Sequence, residues 1–182
     1  MKQSARYDTS ALIEAQFETG SHGRVLKNKL GIKRKKEMDE AESVALKDAL
    51  DRLLRMYDEN HRFAEADIKT MHKIWLGGIY EWAGEYRQVN LSRDYFPFAA
   101  ARQVPLLMDE FEKGPLRKHT PCNFKSLERI IRALAEVHVE FILIHPFREG
   151  NGRLARMLST LMASQASLPV LNFKDITGRK RK

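Results

Sequence analysis

His145-Pro146-Phe147-Arg148-Glu149-Gly150-Asn151-Gly152-Arg153-Leu154-Ala155-Arg156 separates two runs of apolar residues at helical spacing. Upstream, Leu127, Ile130, Ile131, Leu134, Val137, His138 and Phe141 recur every three to four positions. Downstream, Leu154, Met157, Leu158, Leu161 and Met162 repeat the pattern. The spacing predicts helix, loop, helix. Pro146 excludes His145 from the right-handed α region and ends the first helix there. Gly150 and Gly152 bracket Asn151 where the second helix starts, and glycine lets backbone approach a ligand closely. Free N–H groups and the positive dipole end at a helix start favour an anion, above all phosphate. Arg153 and Arg156, one turn apart, add two permanent charges to one face. Glu149 offers a hard oxygen suited to magnesium held against phosphates. His145 offers a base that titrates near neutrality.

This stretch resembles the signature of the Fic family, His-x-Phe-x-Asp/Glu-Gly-Asn-Gly-Arg-x-x-Arg. Every signature position is filled, with Glu149 where Asp is commoner. The likeness extends over residues 65–166, through Trp82-Ala83-Gly84 and through Val137-His138 just before the loop. It implies a mostly α fold, a Fic-type helical bundle with one β-hairpin flap over the active-site loop. The expected organisation is an N-terminal extension over 1–36, holding a candidate inhibitory segment, and a Fic-like helical domain over 37–182.

Composition agrees with an ordinary globular protein. Of 182 residues, 43% are hydrophobic and 31% charged, which excludes a disordered chain. Cys122 is the only cysteine, so no intrachain disulfide forms, and a cytoplasmic protein is expected. The opening MKQSARYDTS has no signal-peptide core, and no apolar run is long enough for a bilayer, so no membrane partner is expected. The net charge of +8 raises the question of nucleic acid. Much of the excess lies in Lys33-Arg34-Lys35-Lys36 and Arg179-Lys180-Arg181-Lys182. Neither run is interleaved with aromatic residues, and solvated basic segments are the preferred reading.

Along the chain, Ser10 to Phe17 reads as a short helix capped by Ser10. Residues 37–60 read as a helix with Val44, Leu46, Ala49, Leu50, Leu53, Leu54 and Tyr57 on its apolar face. Residues 65–80 read as another, with Ile68, Met71, Ile74 and Trp75 inward and Gly77-Gly78 near its end. Tyr86 to Leu91 and Tyr95 to Phe98 read as two strands around Ser92-Arg93-Asp94, with Pro97 marking an edge. Residues 100–113 read as helical, with Leu106, Leu107 and Phe111 inward and Gly114-Pro115 as the stop. His138 is expected to be a packed helix residue, and Ser167-Leu168-Pro169 to end the last helix.

The family likeness implies a reaction: transfer of AMP from ATP to a Ser, Thr or Tyr hydroxyl of a target protein. In that scheme His145 is the general base and Glu149 holds Mg²⁺. Arg148, Gly150, Asn151, Gly152, Arg153 and Arg156 bind the nucleotide, Arg153 at the β-phosphate and Arg156 at the γ-phosphate. Phe147 is a buried anchor for the loop. The hairpin 86–98 docks the target, with Phe96 and Phe98 pressing on its side chain or on the nucleotide. Ser10-Ala11-Leu12-Ile13-Glu14-Ala15 approximates the family's inhibitory motif, which would pair Glu14 with Arg156. A separate antitoxin partner is the other route to inhibition. Rival readings are a module that binds nucleotide or phosphopeptide without transfer, a relative using another nucleotide, and a basic nucleic-acid-associated protein.

Overall fold

The computed structural model describes residues 11–173. Ser10, the expected cap, and the basic run 179–182 lie outside the described residues. Among the described residues six α-helices carry the fold: α1 (Lys35–Met56), α2 (Glu65–Leu76), α3 (Val104–Phe111), α4 (Arg117–His119), α5 (Leu127–Ile144) and α6 (Asn151–Gln165). One antiparallel hairpin pairs β1 (Ser92–Arg93) with β2 (Phe96–Pro97). The mostly helical bundle with a single hairpin is the expected architecture.

The two helices flanking the signature loop pack on each other, and α1 packs on both α2 and α6. Leu154, Met157, Leu158, Leu161 and Met162 are all buried on α6. On α5 the inward face is Ile130, Ala133, Val137, Phe141 and Ile144, whereas Leu127 and Ile131 are exposed. Each large apolar side chain buried this way contributes roughly 1.5–3 kcal/mol. His138 is half-buried on α5, its Nδ1 3.4 Å from Ser159 Oγ on α6. It packs between these two helices, as expected.

Several boundaries differ from the sequence reading. The first helix begins at Lys35 and ends at Met56, and Val44 faces solvent. Gly77 caps α2. The expected helix at Ser10–Phe17 is a single 3₁₀ turn, Ile13–Ala15, and Phe17 then pairs with Leu26 in an isolated bridge. Gly114-Pro115 does not stop the helical run, because a π turn over Glu112–Leu116 carries the chain through into α4. On α3 the buried residues are Val104, Met108 and Phe111, while Leu106 is exposed.

The hairpin is shifted from its expected register. Ser92 and Arg93, read as the turn, form the first strand, paired with Pro97 and Phe96. The turn is Asp94-Tyr95, with Asp94 at φ 53°, a left-handed conformation that aspartate tolerates. Residues 86–91 are not a strand, because contacts outside the hairpin use their backbone. Glu14 Oε1 accepts from the amides of Gln88 (2.6 Å) and Val89 (3.0 Å). The Arg87 amide donates to Pro146 O at 2.9 Å.

Candidate active site

The signature loop is held by groups that never touch solvent. Phe147 is fully buried and stacks on the His72 ring of α2, centroids 3.9 Å apart and 7° from parallel. The backbone amide of Gly84 donates to His72 Nδ1 at 2.8 Å. The other ring nitrogen therefore carries the proton, and His72 Nε2 donates to Glu149 O at 3.1 Å. Burial holds this imidazole far below its ordinary range, at about 4, so it is neutral. His72 lies on the apolar face of α2 beside Ile68 and Trp75, a position the sequence reading passed over.

Asn151 closes the loop from the other side. Its Oδ1 accepts from the Phe147 amide (2.9 Å) and its Nδ2 donates to Phe147 O (2.8 Å). This side chain is buried and engaged with Phe147 backbone on both sides. Gly150 precedes α6 at φ 85°, and a Cβ there would meet the Trp75 ring at 2.6 Å. Both the backbone conformation and the closeness of α2 require glycine. The amides of Asn151 and Gly152 then open α6 with no chain partner among the described residues, a nest of the kind that suits an anion.

His145 is the C-cap of α5, a non-glycine residue at φ 53°, ψ 59°. Such a conformation costs on the order of 1–3 kcal/mol and persists where neighbours over-determine it. Arg87 does so. This guanidinium is almost wholly buried and donates Nε to His145 O (2.7 Å), Nη1 to Val89 O (2.8 Å), and Nη2 to Ala99 O (2.5 Å) and Ile144 O (3.3 Å). One side chain thus ties the end of α5 to both roots of the hairpin. It was not singled out from sequence, where residues 86–91 show no pattern that marks a buried arginine.

The tautomer of the His145 imidazole is fixed by a backbone carbonyl. Nδ1 lies 3.3 Å from Ile142 O, which can only accept, so Nδ1 carries the proton and Nε2 the lone pair. Phe98, after β2, stacks on the ring at 3.6 Å and 13°. Burial lowers the His145 pKa, the Ile142 carbonyl opposes that shift, and the positive Arg87 adds to it.

His145, Arg148, Glu149, Gly150, Asn151, Gly152, Arg153 and Arg156 line one cleft with Leu91, Ser92, Arg93 and Phe98 of the hairpin, about 500 Å³ in volume. Glu149 Oε1 accepts from the Gly150 amide (2.9 Å) and pairs with Arg153 Nη2 (3.1 Å). Arg153 also pairs through Nη1 with the buried Glu42 of α1 at 2.6 Å and lies 4.7 Å over the Trp75 ring. Arg156 has no carboxylate partner among the described residues; burial and the charge of Arg153 lower its pKa. Glu14 does not reach Arg156: its carboxylate is occupied by the hairpin root, and its carbonyl accepts from Arg148 Nε at 2.9 Å. The cleft therefore joins a base, a carboxylate, an amide nest and four arginines under one aromatic ring.

The sequence model described as the Fic/DOC family matches residues 62–163. Protein adenylyltransferase VbhT of Bartonella schoenbuchensis is 31% identical over 154 residues, covering 82% of this chain and 30% of that protein. The chain thus spans less than a third of that relative's length. Among solved structures, BepC of Bartonella tribocorum with bound AMPPNP superposes with a TM-score of 0.73 at 22% identity, covering 92% of this chain and 85% of that one. The N-terminal Fic domain of a Bartonella quintana Bep effector with bound ADP gives 0.69 at 25% identity, covering 89% and 80%.

Proposed function

The chain belongs to the Fic/DOC family, and on that premise we propose that it transfers AMP from ATP to a Ser, Thr or Tyr hydroxyl of a target protein. The observation that carries this reading is the position of His145. A protein that only bound phosphate would have no use for an imidazole with its Nε2 lone pair left open in the cleft that holds the amide nest.

In the proposed reaction the target hydroxyl attacks the α-phosphorus in line with the leaving pyrophosphate. An O–P bond forms to the target, the bond to the β-phosphate oxygen breaks, and the hydroxyl proton goes to His145 Nε2. Such base catalysis contributes typically ~10²–10⁴-fold. The Asn151 and Gly152 amides hold phosphate oxygens as charge shifts toward the leaving group. Arg153 takes the β-phosphate and Arg156 the γ-phosphate, where planar forks suit two oxygens at once. Arg148 and Arg93 add positive charge at the rim.

The residues present fit a magnesium ion that arrives with the nucleotide. Glu149 offers one carboxylate, and its Oε2 has no partner among the described residues. No group of three or more His, Cys, Asp or Glu among those residues would hold a metal by protein alone. One carboxylate, waters and phosphates is the usual magnesium set. When bound, the ion would offset negative charge on the phosphates.

The hairpin 86–98 is the proposed docking edge. Tyr95 and Phe96 at its tip are exposed, and an extended target segment laid along it would bring a hydroxyl under Phe98 and towards His145. ATP labelled at the α-phosphate, incubated with the protein, Mg²⁺ and a host lysate, tests the proposal. The expected result is label on a protein hydroxyl, located by mass spectrometry and lost in His145→Ala. Label that follows the γ-phosphate, or tight nucleotide binding with no transfer, would sink it.

A further inference from the structure

Glu42 stands on the core-facing stripe of α1, with Met38, Ala49 and Leu53. A charge on such a stripe is costly unless it is paired. Glu42 is 2% exposed. Tyr80 donates its hydroxyl to Oε1 at 2.7 Å, and Trp75 Nε1 donates to the Glu42 backbone carbonyl at 2.9 Å. Oε2 meets no aligned hydrogen-bond donor among the described residues; its compensation is the ion pair with Arg153 Nη1 at 2.6 Å. The same guanidinium uses its other nitrogen on Glu149, at 3.1 Å. Arg153 is therefore shared between a carboxylate buried in the core and one at the cleft, 44% exposed.

We infer that Glu42 is a positioning residue that releases Glu149 for the metal. It holds Arg153 from beneath, so Glu149 is the weaker, replaceable partner of that arginine. When phosphate takes over the outer nitrogen of Arg153, Glu149 is free to turn to the ion while Glu42 keeps the guanidinium in place. Without the charge at 42, Glu149 becomes the one carboxylate paired with Arg153, and a metal has to compete with that pair. The aromatic surface of Trp75 below the guanidinium and the close fit of Gly150 on the same ring leave Arg153 little room to relax elsewhere. The inference rests on the proposed roles of Arg153 and Glu149.

The test is metal binding, read apart from transfer. Mn²⁺ binding to the whole chain, saturated with a non-hydrolysable ATP analogue, is followed by electron paramagnetic resonance. Glu42→Gln, which keeps shape and removes charge, is expected to weaken Mn²⁺ about tenfold. In an Arg153→Ala background the same substitution is expected to change nothing, because Glu149 then has no arginine to be released from. Thermal melts show whether each variant is folded. If Glu42→Gln does not fold, Glu42→Asp, which draws the charge back from Arg153, decides on the same readings. Unchanged Mn²⁺ affinity in the folded variant, or an equal loss in both backgrounds, overturns the inference. Neither reading depends on AMP transfer, so a failure of the proposed activity is seen separately.

Discussion

Phe98 covers the imidazole of His145, ring on ring at 3.6 Å and 13°. The hairpin thereby bears on the proposed base as well as on the proposed docking edge. Burial is the first cause of the lowered His145 pKa, and Phe98 supplies part of that burial. Phe98→Ala is expected to let the imidazole titrate closer to 6.5. Since the base works unprotonated, the acid limb of the rate profile should move to higher pH. Rates from pH 5 to 8, with the imidazole followed by NMR, check this. A limb that stays put means that Phe98 does not set the solvation of His145.

His145→Ala removes the base and leaves the amide nest, Arg153 and Arg156 intact. Transfer should fall by about 10²-fold or more. Affinity for a non-hydrolysable ATP analogue, measured by calorimetry, should stay within a few-fold. A matching loss of affinity would mean that the histidine acts chiefly in binding.

Glu149→Gln keeps the size of the side chain and removes its charge. Transfer should drop sharply and recover only in part with excess Mg²⁺. The Gly150 amide loses a charged acceptor, so the loop should also become easier to exchange. Activity equal to the parent in the presence of chelator would rule out the metal role.

His72 predicts how stability follows pH. Its pKa is lowered from 6.5 unfolded to about 4 folded, so the unfolded chain takes up the proton first. Stability from this group is complete above about pH 6.5 and falls progressively as pH drops towards 4. The full span is worth about 3 kcal/mol at 1.36 kcal/mol per pKa unit. Melting temperatures between pH 7 and 4.5 should fall, and the fall should be shallower in His72→Asn. An equal slope in both would exclude His72 as the source.

Glu14 predicts the order of the hairpin. Glu14→Gln weakens a charged acceptor shared by the Gln88 and Val89 amides, and such bonds are worth roughly 1.5–3 kcal/mol. Hydrogen exchange should quicken at 88 and 89, with transfer unchanged or reduced. A large rise in transfer would instead favour the inhibitory reading of this residue.

The part of the site legible in the sequence is the part that is contiguous. His145 through Arg156 form one loop and one helical turn, so spacing alone relates the base, the carboxylate, the glycines and the arginines. Phe147 was expected as an anchor from the family likeness, and it is buried. What supports them arrives from far along the chain: Glu42, His72 and Arg87 precede the loop by tens of residues. Two of these left a trace. Glu42 and His72 each interrupt an apolar stripe, and a polar group there must find a buried partner. The hairpin register was not legible, because residues 86–91 alternate like a strand while Glu14 and Pro146 use their amides. The loop-closing contacts of Asn151 are not legible either, because a helix-start asparagine beside glycines suits a ligand and a loop closure equally well.

Arg87 makes the hairpin an exchangeable part. Its guanidinium grips the chain at Val89 and at Ala99, main-chain atoms whose hold does not depend on which side chains lie between them. The same group fixes the carbonyl of His145, so three carbonyls on one guanidinium help to set the register between hairpin and histidine. The tip, residues 94–97, does not line the cleft and can vary while Leu91, Ser92, Arg93 and Phe98 stay aligned over it.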